Sequence, residues 1–298
     1  MTVDRYLGAG FASVHGPSDP RAMLLWSLDH GFHGLLPAPS PRTIDWVALR
    51  RAKEQLPFRF GGVRVSGLQD AESLSEAGLA SVDQADQNVA QAAIAQAVAL
   101  ARRLNCERIL LEPGVVQVPG EVVAADLASA SASWTQEAAR TLSARRNARL
   151  DVALDAACRS LHRLHAQHPD VVFCLTPSRN VLGLGDFRGL AAIFEDLSRC
   201  GIAYWHDATA ASCRQHFLGE DPGELLEGCS KYLLGMTLGD FCEGQKYLPP
   251  GAGGVDYPLL SAYRRRTAKG FAVAVELEPG VDPGELRGVQ AYLDKFGL

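Results

Sequence analysis

Short apolar runs rich in Val, Ile, Leu, Phe and Ala alternate along the chain with longer stretches in which apolar residues return every three or four positions. The first pattern is that of a buried β-strand, the second that of an amphipathic helix with one face on a core. Strands are predicted near Tyr6–Ala12, His33–Pro37, Phe60–Ser66, Arg108–Glu112, Val171–Thr176, Ile202–Asp207, Leu233–Thr237 and Phe271–Glu276. Helices are predicted over Pro20–His30, Ile44–Gln55, Gln84–Leu104, Gln136–His168, Asp186–Cys200, Pro222–Tyr232, Pro258–Lys269 and Asp282–Phe296. Strand–helix units repeated in this way through 298 residues predict an α/β fold, a (β/α)₈ TIM barrel forming a single domain over residues 1–298. A doubly wound open sheet would want a glycine-rich phosphate turn behind the first strand. GAGFAS at Gly8–Ser13 lacks the third glycine and, on this reading, a helix directly behind it. No linker divides the chain. The Ser/Ala-rich stretch Ala124–Ser133 reads as a lid, a subunit contact or the start of a helix, which leaves a homo-oligomer open.

In a barrel the chemistry gathers at the C-terminal ends of the strands, so the last inward-facing residue of each strand matters most. Side chains alternate along a strand. If Asp207 faces inward, so do Trp205 and Ala203, while His206 points to the helix layer. If Glu276 faces inward, so do Ala274 and Ala272, leaving Val273 and Val275 under helices. The same register turns Cys174 and Thr176 inward on the fifth strand, and Gly235 and Thr237 on the seventh.

Composition narrows the picture. Hydrophobic residues make up 47% of the chain and charged residues 21%, as in a globular protein with a large core. A net charge of −5 gives no reason to expect a nucleic acid, and the arginine clusters at 102–103, 145–146 and 264–266 read as solvated helix faces. MTVDRYLGAGF does not read as a secretory signal, and no apolar run is long enough to span a membrane. The seven cysteines are scattered without a CxxC pair, which suits reduced thiols in a cytoplasmic protein.

The pieces YWHDATAA, GMTLGDF, YLPPGAGGVDYPLL and VAVELEP resemble the xylose-isomerase-like family of TIM barrels, which includes sugar-phosphate isomerases, epimerases and endonuclease-IV-type enzymes. The corresponding family text reads roughly YWHDTGHA, HLKD, LPPGEGxVDF and an apolar run ending in Glu. The resemblance implies a site in which Glu, Asp, His and Glu hold a divalent cation while the two glutamates move protons at adjacent carbons. Matched residue by residue, this chain has Thr176 for the first Glu, keeps Asp207, has Thr237 for the His and keeps Glu276. Ala210 stands for the second His of the DTGH-like box, and Ala252 for the acid of LPPGEG.

Such a donor set predicts either no cofactor or a weak, oxygen-only site for a divalent cation such as Mg²⁺ or Mn²⁺. Without a metal, Asp207 and Glu276 would face each other as like charges, an arrangement suited to acid–base chemistry without a cation. The catalytic candidates are therefore Glu276 and Asp207, acting on a small sugar-like or polyol ligand as a divergent isomerase or epimerase. The alternative is a non-catalytic barrel that binds a ligand or a partner protein. An abasic-site endonuclease would need a multi-metal cluster and a basic face.

Further binding candidates carry two readings each. Trp205 stacks on a sugar or fills the barrel; His206 is a base or a packed histidine; Asp240, matching the family's HLKD aspartate, has a structural or substrate role. Glu112 is a displaced carboxylate or a loop acid, and His15 a rim or exposed loop histidine. Lys246 and Arg179 are the cations placed to meet an anionic group on a ligand, or to pair with an acid.

Overall fold

The computed structural model describes residues 3–38, 43–65, 78–118, 136–267 and 270–298. Its strands are β1 (Asp4–Gly8), β2 (Gly34–Leu36), β3 (Arg59–Phe60), β4 (Val63–Arg64), β5 (Arg108–Leu111), β6 (Val172–Leu175), β7 (Ala203–Asp207), β8 (Leu233–Leu238), β9 (Asp240–Cys242), β10 (Gln245–Leu248) and β11 (Ala272–Val275). The helices are α1 (Ala9–His15), α2 (Pro20–Asp29), α3 (Trp46–Lys53), α4 (Gln84–Leu104), α5 (Gln136–Asn147), α6 (Leu150–Gln167), α7 (Phe187–Asp196), α8 (Ala208–Leu218), α9 (Pro222–Cys229), α10 (Tyr257–Arg266) and α11 (Leu286–Asp294).

Nine strand segments form one sheet in the order β3-β2-β1-β11-β8-β7-β6-β5-β4, with every neighbouring pair parallel. The two ends of that order, β3 and β4, are consecutive in the chain and separated only by Gly61 and Gly62. They are the two halves of the third barrel strand. The seam is bridged from both sides, because the Arg64 amide donates to the Pro37 carbonyl at 2.8 Å and the Val65 amide to the Leu110 carbonyl at 2.9 Å. The fold is a (β/α)₈ TIM barrel. The break has a local cause: a Cβ on Gly61 would lie 2.7 Å from the Tyr6 ring, so the strand passes that ring only as glycine.

Alternation along each strand separates two cores. Leu7, Leu35, Val63, Ile109, Phe173, Tyr204, Met236, Val273 and Val275 pack into the layer between sheet and helices. Tyr6, Leu36, Leu110, Cys174, Ala203, Trp205, Ala272 and Ala274 fill the barrel itself. The inward register expected for the strands ending at 176, 207, 237 and 276 is the observed one. Barrel closure leaves little room on the inside, so alanine there and valine outside is the pattern that packs without voids.

The helices follow their local signals. The side chain of Asp83 caps α4 by accepting from the Ala85 amide at 2.6 Å, and the helix stops at Asn105 in the left-handed conformation. Two expectations need correction. The first strand ends at Gly8 and turns at once into α1, so a helix does follow it; a short apolar run such as AGFASV fits either period. The long helix expected over Gln136–His168 is two, α5 and α6, because Arg146 turns inward to Asp186 and the chain re-starts at Leu150. The antiparallel hairpin β9–β10 was not expected at all. Ser66 and the stretch Ala124–Ser133 lie outside the described residues. Among the described residues no helix is long and apolar enough to cross a membrane.

Candidate active site

The strand ends β6, β7, β8 and β11 bring Thr176, Asp207, Thr237 and Glu276 to neighbouring positions on one side of the barrel rim, as alternation required. Beneath them Trp205 is fully buried and its indole N–H donates to Thr237 Oγ1 at 2.9 Å. A Cβ on Gly235 would stand 2.3 Å from that ring, so the indole lies across β8 where only glycine leaves space. Trp205 is therefore filling of the barrel under the rim.

The residue that organises the rim comes from the repaired third strand. Arg64, at the end of β4, reaches across so that its Nη2 donates to Thr237 Oγ1 at 3.1 Å. The same nitrogen lies 3.5 Å from Asp207 Oδ2 and 3.7 Å from Glu276 Oε2. Burial opposes the guanidinium charge, but Glu276, Tyr247 and Asp207 more than reverse this, so its pKa lies above the ordinary arginine value. Asp207 and Glu276 thus do not face each other as bare like charges; a fixed cation stands between them.

Tyr247 completes the cluster. It sits at φ 50°, an uncommon conformation for a residue with a side chain, where the β9–β10 ladder shifts register. Its phenol donates to Asp207 Oδ2 at 3.3 Å, and the Arg179 guanidinium lies 5.3 Å over its ring. Burial pushes the Tyr247 phenol up, keeping it protonated.

The two retained carboxylates differ in what they already hold. Asp207 caps α8, its Oδ1 accepting from the Ala210 amide at 3.0 Å while Oδ2 accepts from Tyr247. Glu276 Oε2 is buried without a hydrogen-bond partner among the described residues, and so is Arg64 Nε.

Other expected residues are engaged elsewhere. Asp240 is fully buried and takes the amides of Phe241, Gly251 and Val255 at 3.0, 2.9 and 2.9 Å, so it shapes the LPPGAGG loop. His206 faces the helix layer, hydrogen-bonded through Nδ1 to the Tyr204 hydroxyl at 2.6 Å, and burial lowers its pKa to about 3. Glu112 accepts a hydrogen bond from the Ser178 hydroxyl, tying the ends of β5 and β6. His15, the last residue of α1, donates from Nε2 to the Pro279 carbonyl at 2.7 Å. Lys246 pairs with Phe241 across the hairpin, one residue from Tyr247.

Sequence reasoning missed Arg64 and Tyr247. Arg64 carried a signal, an arginine alternating with Val63 and Val65 at the end of an expected strand. Tyr247 carried none, because its entry depends on a hairpin and a bulge.

A divalent cation fits these residues poorly. Among the described residues no three His, Cys, Asp or Glu side chains converge to hold a metal. Of the four rim positions two are threonines, and the oxygens Asp207 Oδ2 and Glu276 Oε2 already neighbour a guanidinium.

The fold is that of the xylose-isomerase-like TIM barrels, in a chain of divergent sequence. Neither a protein-family model nor a curated protein matches the sequence. Solved structures do match over nearly the whole chain. A D-psicose 3-epimerase from Clostridium cellulolyticum H10 is similar at 13% identity and TM-score 0.66, covering 99% of this chain and 98% of its own. A 3-keto-D-glucoside 4-epimerase from E. coli is similar at 13% identity and TM-score 0.66, covering 98% and 99%. An AP endonuclease of family 2 from Brucella melitensis shares the fold at 14% identity and TM-score 0.61, covering 98% of each chain.

Proposed function

We propose that the barrel mouth binds a small sugar-like or polyol molecule and moves a proton at a carbon next to a carbonyl, as a divergent sugar isomerase or epimerase. Glu276 is the proton-transferring base. The observation that carries this reading is its buried Oε2, without a hydrogen-bond partner among the described residues, beside the Arg64 cation at the rim of a barrel whose fold is shared with sugar epimerases. Asp207 is the weaker candidate, since both its oxygens already accept hydrogen bonds, and its role is to hold Tyr247 and Arg64 in place. The protonated Tyr247 phenol is a donor for a ligand oxygen. A net charge of −5 argues against a nucleic-acid partner despite the endonuclease likeness.

A non-catalytic binding barrel is the competing reading, favoured by the threonines at 176 and 237. One experiment separates them. The pure protein is incubated in D₂O with D-psicose, D-tagatose and D-fructose, and loss of the C–H signals beside the carbonyl is followed by NMR. Exchange that falls by about 10²–10⁴-fold in Glu276→Gln, the usual range for a positioned base, supports catalysis. Exchange equal in the two proteins removes Glu276 from that role, and none with any sugar favours the binding barrel.

A further inference from the structure

We infer that Arg64 is the resident cation of the barrel mouth, standing where the family resemblance implies a divalent metal, and that it receives the carbonyl oxygen of the ligand. The second half rests on the proton-transfer reading; the first does not.

Position comes first. A single nitrogen of Arg64 contacts Thr237 at 3.1 Å, Asp207 at 3.5 Å and Glu276 at 3.7 Å, three of the four rim positions that the resemblance assigns to metal ligands. A divalent ion held at about 2.0–2.2 Å by the same two carboxylate oxygens would share them with a permanent positive charge, and would be repelled by it. Arginine does not give up its proton to make room.

Charge balance points the same way. One divalent ion neutralises two carboxylates. Here the Arg64 guanidinium neighbours both carboxylates, and the Tyr247 phenol, with the Arg179 guanidinium 5.3 Å over its ring, donates to Asp207. A permanent monovalent charge already neighbours both carboxylates.

Unfilled valences name the ligand chemistry. Arg64 donates to Thr237 and neighbours the Tyr247 phenol, but both carboxylates lie beyond hydrogen-bond distance and its Nε has no partner among the described residues. Among the described residues Glu276 Oε2 also has none. An open N–H donor and an open carboxylate acceptor side by side complement a hydroxy-ketone or hydroxy-aldehyde, whose carbonyl oxygen accepts and whose neighbouring C–H or O–H donates. When Glu276 takes the proton from the carbon, the C–H electron pair forms the C=C bond and the carbonyl π pair moves to oxygen. The resulting oxyanion lies against Arg64. Return of the proton to that carbon reverses the electron flow, and no redox partner is required.

The test is a Mn²⁺ titration read by EPR and by thermal unfolding, on wild type, Arg64→Ala, Arg64→Lys and the double variant Arg64→Ala/Asp207→Asn. Wild type and Arg64→Lys are expected to leave the free-Mn²⁺ signal and the Tm unchanged at millimolar metal. Arg64→Ala is expected to gain a Mn²⁺-dependent rise in Tm that the double variant lacks. One equivalent of Mn²⁺ bound by wild type overturns the inference whether or not the variants fold, and so does an Arg64→Ala protein that responds no differently from the double variant. For the ligand half, exchange by Arg64→Lys should fall by about 10²–10³-fold, the effect of losing one oxyanion donor, without rescue by Mn²⁺. Unchanged exchange, or full rescue by metal, overturns it. These metal readouts need no turnover, so a protein that exchanges no sugar yet refuses Mn²⁺ until Arg64 is removed loses the catalytic reading and keeps the resident cation.

Discussion

Two arginines of the same barrel, the buried Arg146 and the partly exposed Arg64, are treated in opposite ways. Arg146, from α5, makes a two-pronged pair with Asp186, both bonds 2.8 Å, and donates to the Gly183 carbonyl at 2.8 Å. Burial opposes ionisation of Asp186, but Arg146 and Arg214 hold its carboxyl below the usual range. Arg146 Nε has no partner among the described residues, whereas Arg214 uses all three nitrogens, two on Glu220 at 2.7 Å and the third on the Ser178 and Asn180 carbonyls. Together they clamp residues 178–186, the loop that carries Arg179 to the rim. Arg64 instead donates to Thr237 at 3.1 Å, neighbours the Tyr247 phenol and stands 3.5 and 3.7 Å from its two carboxylates. The first kind of arginine closes a structure; the second is left with capacity to bind.

The sharpest way to break this comparison is to remove each arginine in turn. Arg146→Ala should cost about 3–5 kcal/mol in urea unfolding, because it strands a buried carboxylate. A loss below that range would mean the clamp is no tighter than the rim. The closed side also predicts a pH response at His206. Its folded pKa of about 3 lies below the unfolded value of 6.5, so the stability held with a neutral ring is complete above pH 6.5 and is lost as pH falls toward 3. The slope from this one group is about 1.4 kcal/mol per pH unit across that window. Tyr204→Phe/His206→Phe should remove it in urea titrations, and an unchanged slope would place the response elsewhere.

Smaller effects belong to the rim. Arg64→Met should cost about 1–2 kcal/mol in the same assay, since it removes one hydrogen bond and two long ion-pair contacts. A loss equal to that of Arg146→Ala would make Arg64 another structural clamp. Tyr247→Phe should cost only about 0.5–1.5 kcal/mol, the range for one hydrogen bond. Its larger effect should appear as slower deuterium exchange if the phenol meets the ligand; a stability loss without any change in exchange would confine Tyr247 to holding Asp207.

Much of this was legible in the chain. The strand ending in Asp207 shows its alternation directly, with Ala203 and Trp205 inside and Tyr204 and His206 outside. The packed state of His206 follows from that period alone. The rim was half legible. Asp207, Thr237 and Glu276 could be placed because adjacent parallel strands put equivalent positions side by side. Arg64 was legible as the inward residue between Val63 and Val65 but its partners were not, and Tyr247 was hidden by a bulge whose left-handed φ has no sequence signature in Gln-Lys-Tyr-Leu.

What the sequence determined by itself is therefore the barrel and the side each strand residue faces, because a period of two and a period of three to four are properties of local geometry. The residue types at rim positions 176, 207, 237 and 276 could also be read from it, since residue type needs no fold. What only the tertiary structure decided is which charges meet. The split third strand closes the sheet between the second and the fourth, and that closure carries Arg64 over to Asp207 and Glu276, at the ends of the sixth and eighth barrel strands. Contact across a barrel depends on tilt, stagger and closure of the whole sheet, quantities that no single segment encodes.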